Sequence, residues 1–234
     1  VIRARVEDGV GRVTLARPEK RNALTLDIAS AIAVAAEEFA AAGVGVAVLD
    51  AEGPIFCAGN DLGEARADPG DTAMTRVLDV LLTGPVCWVA AVEQPALGGG
   101  LAVVCACPVA VAADDTWFAL PEVSLGVFPS AVVAFLEGSL GPRRALTLGL
   151  TGDRLPAAGA AAAGVVTEAV PRAEVAARAA DWAARLASRP AVTASGLASW
   201  QSYFATAAFA ERQQALDVIL RAQDAAVVAS GDTA

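Results

Sequence analysis

The residues of this chain best suited to chemistry form two glycine-marked turns and one block after them. The turns are Phe56-Cys57-Ala58-Gly59-Asn60-Asp61 and Ala96-Leu97-Gly98-Gly99-Gly100; the block is Phe118-Ala119-Leu120-Pro121-Glu122. Glycine lets a backbone turn sharply and lets a ligand come close to its amide groups. Each turn comes straight after an apolar run, residues 44–49 for the first and 86–92 for the second. Two such turns at the ends of neighbouring strands could aim two N–H groups at one oxygen, the requirement of an oxyanion hole. A helix opening at Gly99 would add its positive dipole end to the same spot. Glu122 supplies a proton acceptor, and an apolar pocket would raise its pKa into a range suited to reversible proton transfer. Alone, the glycine triple could serve only to pack a helix start on a strand, and Glu122 could be a surface turn carboxylate. The two turns together favour the anion site.

The elements that must position these residues are readable from periodicity. Residues 2–6 and 10–15 alternate around Asp8-Gly9, which predicts a hairpin. Residues 17–22 form a polar loop. Thr25 is the expected N-cap of a helix with Ile28, Ile32, Ala35, Ala36 and Phe39 on one face, ended by Gly43. Residues 44–49, 86–92 and 109–112 read as buried strands. Helices are expected over 72–82, from the glycine triple to 106, and over 130–136, 142–148, 156–162 and 173–188, with two more after Pro190. Residues 64–71 read as a polar, mobile segment. Strand–turn–helix repetition argues for an α/β fold with parallel strands, and the alternation stops near residue 170.

Composition excludes a good deal. The 234 residues suit one domain with a large core, and no apolar run reaches the ~18 residues of a membrane span. No basic segment followed by an apolar one opens the chain, so a soluble cytoplasmic protein is the expectation. With no histidine, a Ser-His-Asp triad, a Cys-His pair and a His-based metal site cannot be built from this chain. Cys57, Cys87, Cys105 and Cys107 all lie in apolar segments without C-x-x-C spacing, and read as reduced, buried thiols. A net charge of −9, from 17 basic against 26 acidic residues, argues against nucleic acid. The only lysine, Lys20, clusters with Arg17 and Arg21, a local candidate for an anionic small ligand.

The order and spacing of these blocks resemble the crotonase superfamily, the enoyl-CoA hydratase/isomerase family. The matching pieces are Arg17-Pro18 with Asn22-Ala23-Leu24, the two turns, the Glu122 block, Ser124-Leu125-Gly126, Leu150-Thr151-Gly152-Asp153-Arg154-Leu155, and Ala163-Gly164-Val165-Val166 leading to Val170-Pro171. The resemblance implies a ClpP-like spiral of β-β-α units over residues 1–190. A C-terminal helical oligomerisation region, 191–234, would give a homotrimer or hexamer. It implies an acyl-CoA thioester substrate, with CoA part of the substrate and no separate cofactor or metal. The thioester oxygen would sit between the backbone amides of Asn60 and Gly99, with Glu122 as catalytic base. Lys20 and Arg21 would lie near the CoA nucleotide. Ala23, Ala58, Asp61, Leu62, Gly98 and Pro121 would complete the substrate site.

Departures from the family pattern refine the expectation. In the family's hydratases a second glutamate stands two residues after the last glycine of the triple; here that residue is Ala102. Glu93-Gln94 replaces the usual Asn-Gly before the second turn, and Pro129 to Val133 replaces a glycine-rich turn. Glu64, Glu93 and Glu137 are spare carboxylates, expected to be solvated. Syn addition of water needs a carboxylate pair, whereas one base can move a proton between two carbons of one substrate. The first reading is therefore a Δ3-Δ2-enoyl-CoA isomerase. The alternatives are an enoyl-CoA hydratase or other crotonase-type activity, and a low-turnover acyl-CoA-binding protein.

Overall fold

The computed structural model describes residues 2–64 and 72–204. Strands β1 (Ile2–Glu7) and β2 (Val10–Leu15) form the expected hairpin. Asp8 and Gly9 both take positive φ, 51° and 76°, which matches the right-handed twist of the flanking strands. Helix α1 (Leu26–Ala41) starts at Thr25, whose hydroxyl accepts from the Ile28 N–H at 3.2 Å. Then come β3 (Val46–Ala51), α2 (Ala73–Thr83), β4 (Cys87–Val92), β5 (Ala96–Leu97), α3 (Gly99–Ala106) and β6 (Val109–Ala113). After these stand β7 (Trp117–Ala119), α4 (Ser130–Leu140), α5 (Pro142–Thr151), β8 (Leu155–Pro156), α6 (Ala157–Ala162), β9 (Glu168–Val170), α7 (Val175–Ala187) and α8 (Pro190–Phe204). The second helix expected after Pro190 and most of the segment 64–71 lie outside the described residues.

Six strands form one sheet in the order β1-β2-β3-β4-β6-β9, parallel except for the β1–β2 hairpin. Strand β4 is buried on both faces, as its continuous apolar sequence requires. Trp88, Ala90 and Val92 join the core that holds the buried faces of α1, α2 and α3. Cys87, Val89 and Ala91 face Val175, Ala179 and Ala183 of α7 on the other side. Helix α3 is apolar all round and sits in the middle of the larger core, with Leu101 and Ala102 wholly buried.

A second sheet, β5-β7-β8, is built from strands of two or three residues. Sequence periodicity misses it, and misses β9, because an alternation cannot be read over two or three positions. The loop 17–22 also contains a 3₁₀ turn, Pro18–Lys20. Helices α4 and α5 run four and three residues beyond the expected ends, 136 and 148, to close at Gly141 and Gly152, both with positive φ. The result is the expected α/β architecture: two mixed sheets with helices following at the C-terminal end.

Candidate active site

The small sheet brings the two glycine turns together. Cys57 bridges Ala96 in parallel, with the Phe56 N–H on the Pro95 carbonyl and the Leu97 N–H on the Cys57 carbonyl, both at 2.9 Å. Strand β5 pairs β7, and the Gly98 N–H reaches the Ala119 carbonyl at 2.9 Å. On the far side, Leu24 bridges Asn60. Its N–H donates to the Gly59 carbonyl and its carbonyl accepts from Asp61, each at 2.8 Å. Four short segments thus lie side by side, and one edge of them holds Asn60, Gly99 and Glu122.

The glycines are there for close approach. Gly59 has φ +83°, and a methyl group on it would lie 2.7 Å from the Gly99 nitrogen. A methyl on Gly99 would lie 2.7 Å from Met74 Sδ and 3.2 Å from Gly59 Cα, and one on Gly100 would strike the Cys57 carbonyl. The first turn of α3 is therefore pressed onto the Cys57–Gly59 backbone. Neither the Asn60 N–H nor the Gly99 N–H has an acceptor among the described residues. Two backbone donors on touching segments, one of them at a helix N-terminus, have the chemistry to receive a negative oxygen.

Glu122 lies against the second turn. Pro121 opens a 3₁₀ turn, Pro121–Leu125, that Gly126 closes in the left-handed region, and Leu120 before it is fully buried. This turns the Glu122 carboxylate toward Gly98, where any side chain would collide with Oε1. Oε2 is buried without a hydrogen-bond partner among the described residues. Burial pushes the carboxyl pKa up, opposed by a bond from its own backbone N–H. Cys57 is no rival as a reacting group, since full burial pushes its thiol up to about 12. All four cysteines are free, three of them buried.

The basic loop joins the first turn through its backbone. The Ala58 N–H donates to the Arg21 carbonyl at 3.1 Å, while the Lys20 and Arg21 side chains are exposed. Arg17 is not free for a ligand: Nη1 pairs with Asp61 Oδ2 at 2.7 Å and reaches the Ala23 carbonyl at 3.2 Å. Asp61 also accepts from the Gly63 N–H at 2.9 Å, and the Arg17 hydrogen bond holds its pKa low. Its carboxylate holds the turn together. Leu62 beside it is 69% exposed. Of the spare carboxylates, Glu64 accepts from the Leu26 N–H at the start of α1 (2.9 Å), and the Glu93 carbonyl is held by Arg172.

Sequence reasoning missed Asn22 and Met74 as residues that shape the site. Asn22 is fully buried at φ +53°. Its Nδ2 donates to the Glu52 and Ile55 carbonyls, and its Oδ1 accepts from the Arg17 N–H, all at 2.8 Å. A lone Asn after a basic cluster was the available signal, since Asn tolerates this backbone region. Asn22→Ala strands one buried donor and two acceptors, so it should cost on the order of 3 kcal/mol. Thermal denaturation should show a Tm about 6–12 °C lower. An unchanged Tm would mean water replaces the carboxamide.

A cleft of about 410 Å³ lies elsewhere, between the faces of α1 and α2, and is lined by Ala29, Ser30, Thr75, Arg76 and Asp79 among others. The unpaired amides and the carboxylate with the raised pKa are brought together instead at the glycine turns. Among the described residues, no helix is long and apolar enough to cross a membrane and no acid, Cys or His cluster could hold a metal.

Residues 5–226 match the family described as enoyl-CoA hydratase/isomerase. The chain belongs to this family. Human enoyl-CoA hydratase domain-containing protein 3, mitochondrial, is 31% identical over 180 residues, covering 74% of this chain and 59% of the relative. The enoyl-CoA hydratase AKT6-1 of Alternaria alternata is 34% identical over 132 residues, 55% of this chain and 44% of that one. The chain spans less than two thirds of the length of these curated relatives. A crystal structure of a probable enoyl-CoA hydratase from Mycobacterium smegmatis superposes with a TM-score of 0.81. It is 28% identical and covers 98% of this chain and 96% of its own. Ala102, the position at which the resemblance implies a second glutamate in hydratases, is wholly buried in α3.

Proposed function

We propose that this protein is a Δ3-Δ2-enoyl-CoA isomerase that uses Glu122 as its one proton carrier. The ionised carboxylate removes a proton from the α-carbon of a 3-enoyl-CoA. The C–H electron pair flows toward the thioester, whose oxygen becomes an enolate held by the Asn60 and Gly99 N–H groups. The protonated Glu122 then returns the proton to the γ-carbon, and the double bond settles between α and β. Nothing is added or lost, so one carboxyl group suffices. The observation that carries this reading is the pairing of a half-buried Glu122, its pKa pushed up by burial, with a wholly buried alanine at position 102. Gly98 and Pro121 shape the approach to the base, and Ala23, Ala58, Asp61 and Leu62 border the thioester. Residues 1–190 are the catalytic core; 191–234 assemble the chain into a trimer or a dimer of trimers, in a cytoplasmic setting.

The test compares rates on a 3-enoyl-CoA and on a short trans-2-enoyl-CoA. Isomerisation should greatly exceed hydration. Hydration as the faster reaction would favour the second reading, a hydratase, which the names of the relatives support. Tight binding with neither reaction would leave an acyl-CoA-binding protein. Replacing Lys20 and Arg21 together with Glu should weaken binding of the CoA ester and flatten its salt dependence in calorimetry, since the exposed pair supplies rare local positive charge. An unaltered affinity and salt response would put the nucleotide elsewhere.

A further inference from the structure

The Asn60 side chain is not needed for a role played by its backbone N–H, yet it is engaged. Its Oδ1 accepts from the Met74 N–H at 2.8 Å. Met74 is the second residue of α2, and its N–H is one of the four that a helix start leaves without an internal partner. Thr72 takes the next donor, that of Thr75, in a capping box. Asn60 therefore completes the cap of a helix to which it does not belong. Met74, the only methionine of the chain, is 6% exposed. Its thioether lies on Gly99, with Sδ 2.7 Å and Cγ 3.1 Å from where a Gly99 methyl would be. The first turn of α2 thus grips both oxyanion segments, Asn60 by a hydrogen bond and Gly99 by packing.

We infer that the Asn60 carboxamide and Met74 are positioning residues that, through the first turn of α2, set the spacing of the Asn60 and Gly99 amide donors. This rests on the oxyanion reading above. A hydrogen bond from a backbone donor weakens steeply with distance and angle, so a small splaying of the two segments would loosen the hold on a developing oxyanion while leaving a neutral thioester well bound. Glu122, which packs on Gly98, would be untouched.

The experiment uses the full chain with acetoacetyl-CoA as probe, because the fraction bound as enolate is read directly from its ultraviolet band. Steady-state rates on a 3-enoyl-CoA are measured alongside. Asn60→Ala should lower the enolate fraction and reduce kcat about 10–100-fold, in the range that an ångström of misplacement produces, with KM within about threefold. The acid limb of its pH profile should not move. Met74→Ala should behave alike, whereas Met74→Leu, which conserves volume, should keep the parent's band and kcat. The inference is overturned if Asn60→Ala and Met74→Ala keep the parent's enolate band per folded molecule, including the case in which activity falls only as folded protein is lost. A parent that binds acetoacetyl-CoA with no enolate band overturns the oxyanion reading, and this inference with it. A parent that enolises while both variants match it overturns this inference alone.

Discussion

Glu122→Gln should bind a CoA ester as the parent does and lose roughly 10²–10⁴-fold in kcat for isomerisation, the usual scale of general acid–base catalysis. Glutamine fills the same space against Gly98 but cannot take a proton. The same substitution should raise thermal stability at neutral pH. Burial raises the Glu122 pKa in the folded protein above its ordinary value of 4.5. A group with a raised folded pKa contributes stability fully present below the unfolded pKa and lost as pH rises through the folded one. Above that point the parent carries a buried, ionised carboxylate and the variant does not. The Tm difference should therefore favour Gln at pH 7 and close as the pH falls toward 4.5. The acid limb of the parent's kcat/KM should lie above 4.5 for the same reason. Full activity in the variant would remove Glu122 from the mechanism. A stability gap that widens on acidification would show that burial does not govern its titration.

Gly98→Ala should damage catalysis far more than folding. At φ +53° and ψ −127° the backbone of Gly98 is one that residues with a Cβ rarely adopt, a strain of about 1–3 kcal/mol. The new methyl would meet the Glu122 carboxylate, the free end of a flexible side chain, which can swing away. The fold survives that movement; the proton path does not, and a displaced base should reduce kcat about 10²-fold. Circular dichroism and a Tm within about 10 °C of the parent, beside a collapsed kcat, are the expected pair. A parent-like kcat would mean that Glu122 works from another position. Gly100→Ala makes a useful contrast, because its methyl would strike the backbone of Cys57, which cannot rotate aside, so folding should suffer first.

The composition and linear order of the chain determined much by themselves. The missing histidines excluded whole classes of mechanism. The apolar runs around 44–49, 86–92 and 109–112 announced the parallel centre of the large sheet, because a strand buried on both faces has no polar positions to break it. The glycine turns and Glu122 stood out because a turn forced to positive φ or a tight approach restricts residue type strongly. Thr25 marked the start of α1 because helix caps act over three residues and so are written locally.

Only the tertiary structure decided how these pieces meet. Strands β5, β7 and β8 exist because neighbours pair with them, and two or three residues carry no periodicity of their own. Asn22, Arg17 and Asp61 look like members of a polar loop and a turn, yet each is committed to partners 5 to 44 residues away. The engagement of the Asn60 carboxamide with α2 spans 14 residues and leaves no local trace. The proton affinity of Glu122 was likewise undecidable from Pro121 and Val123 beside it. It depends on how much water the surrounding chain removes, and desolvation is a property of the packed volume rather than of the sequence next door.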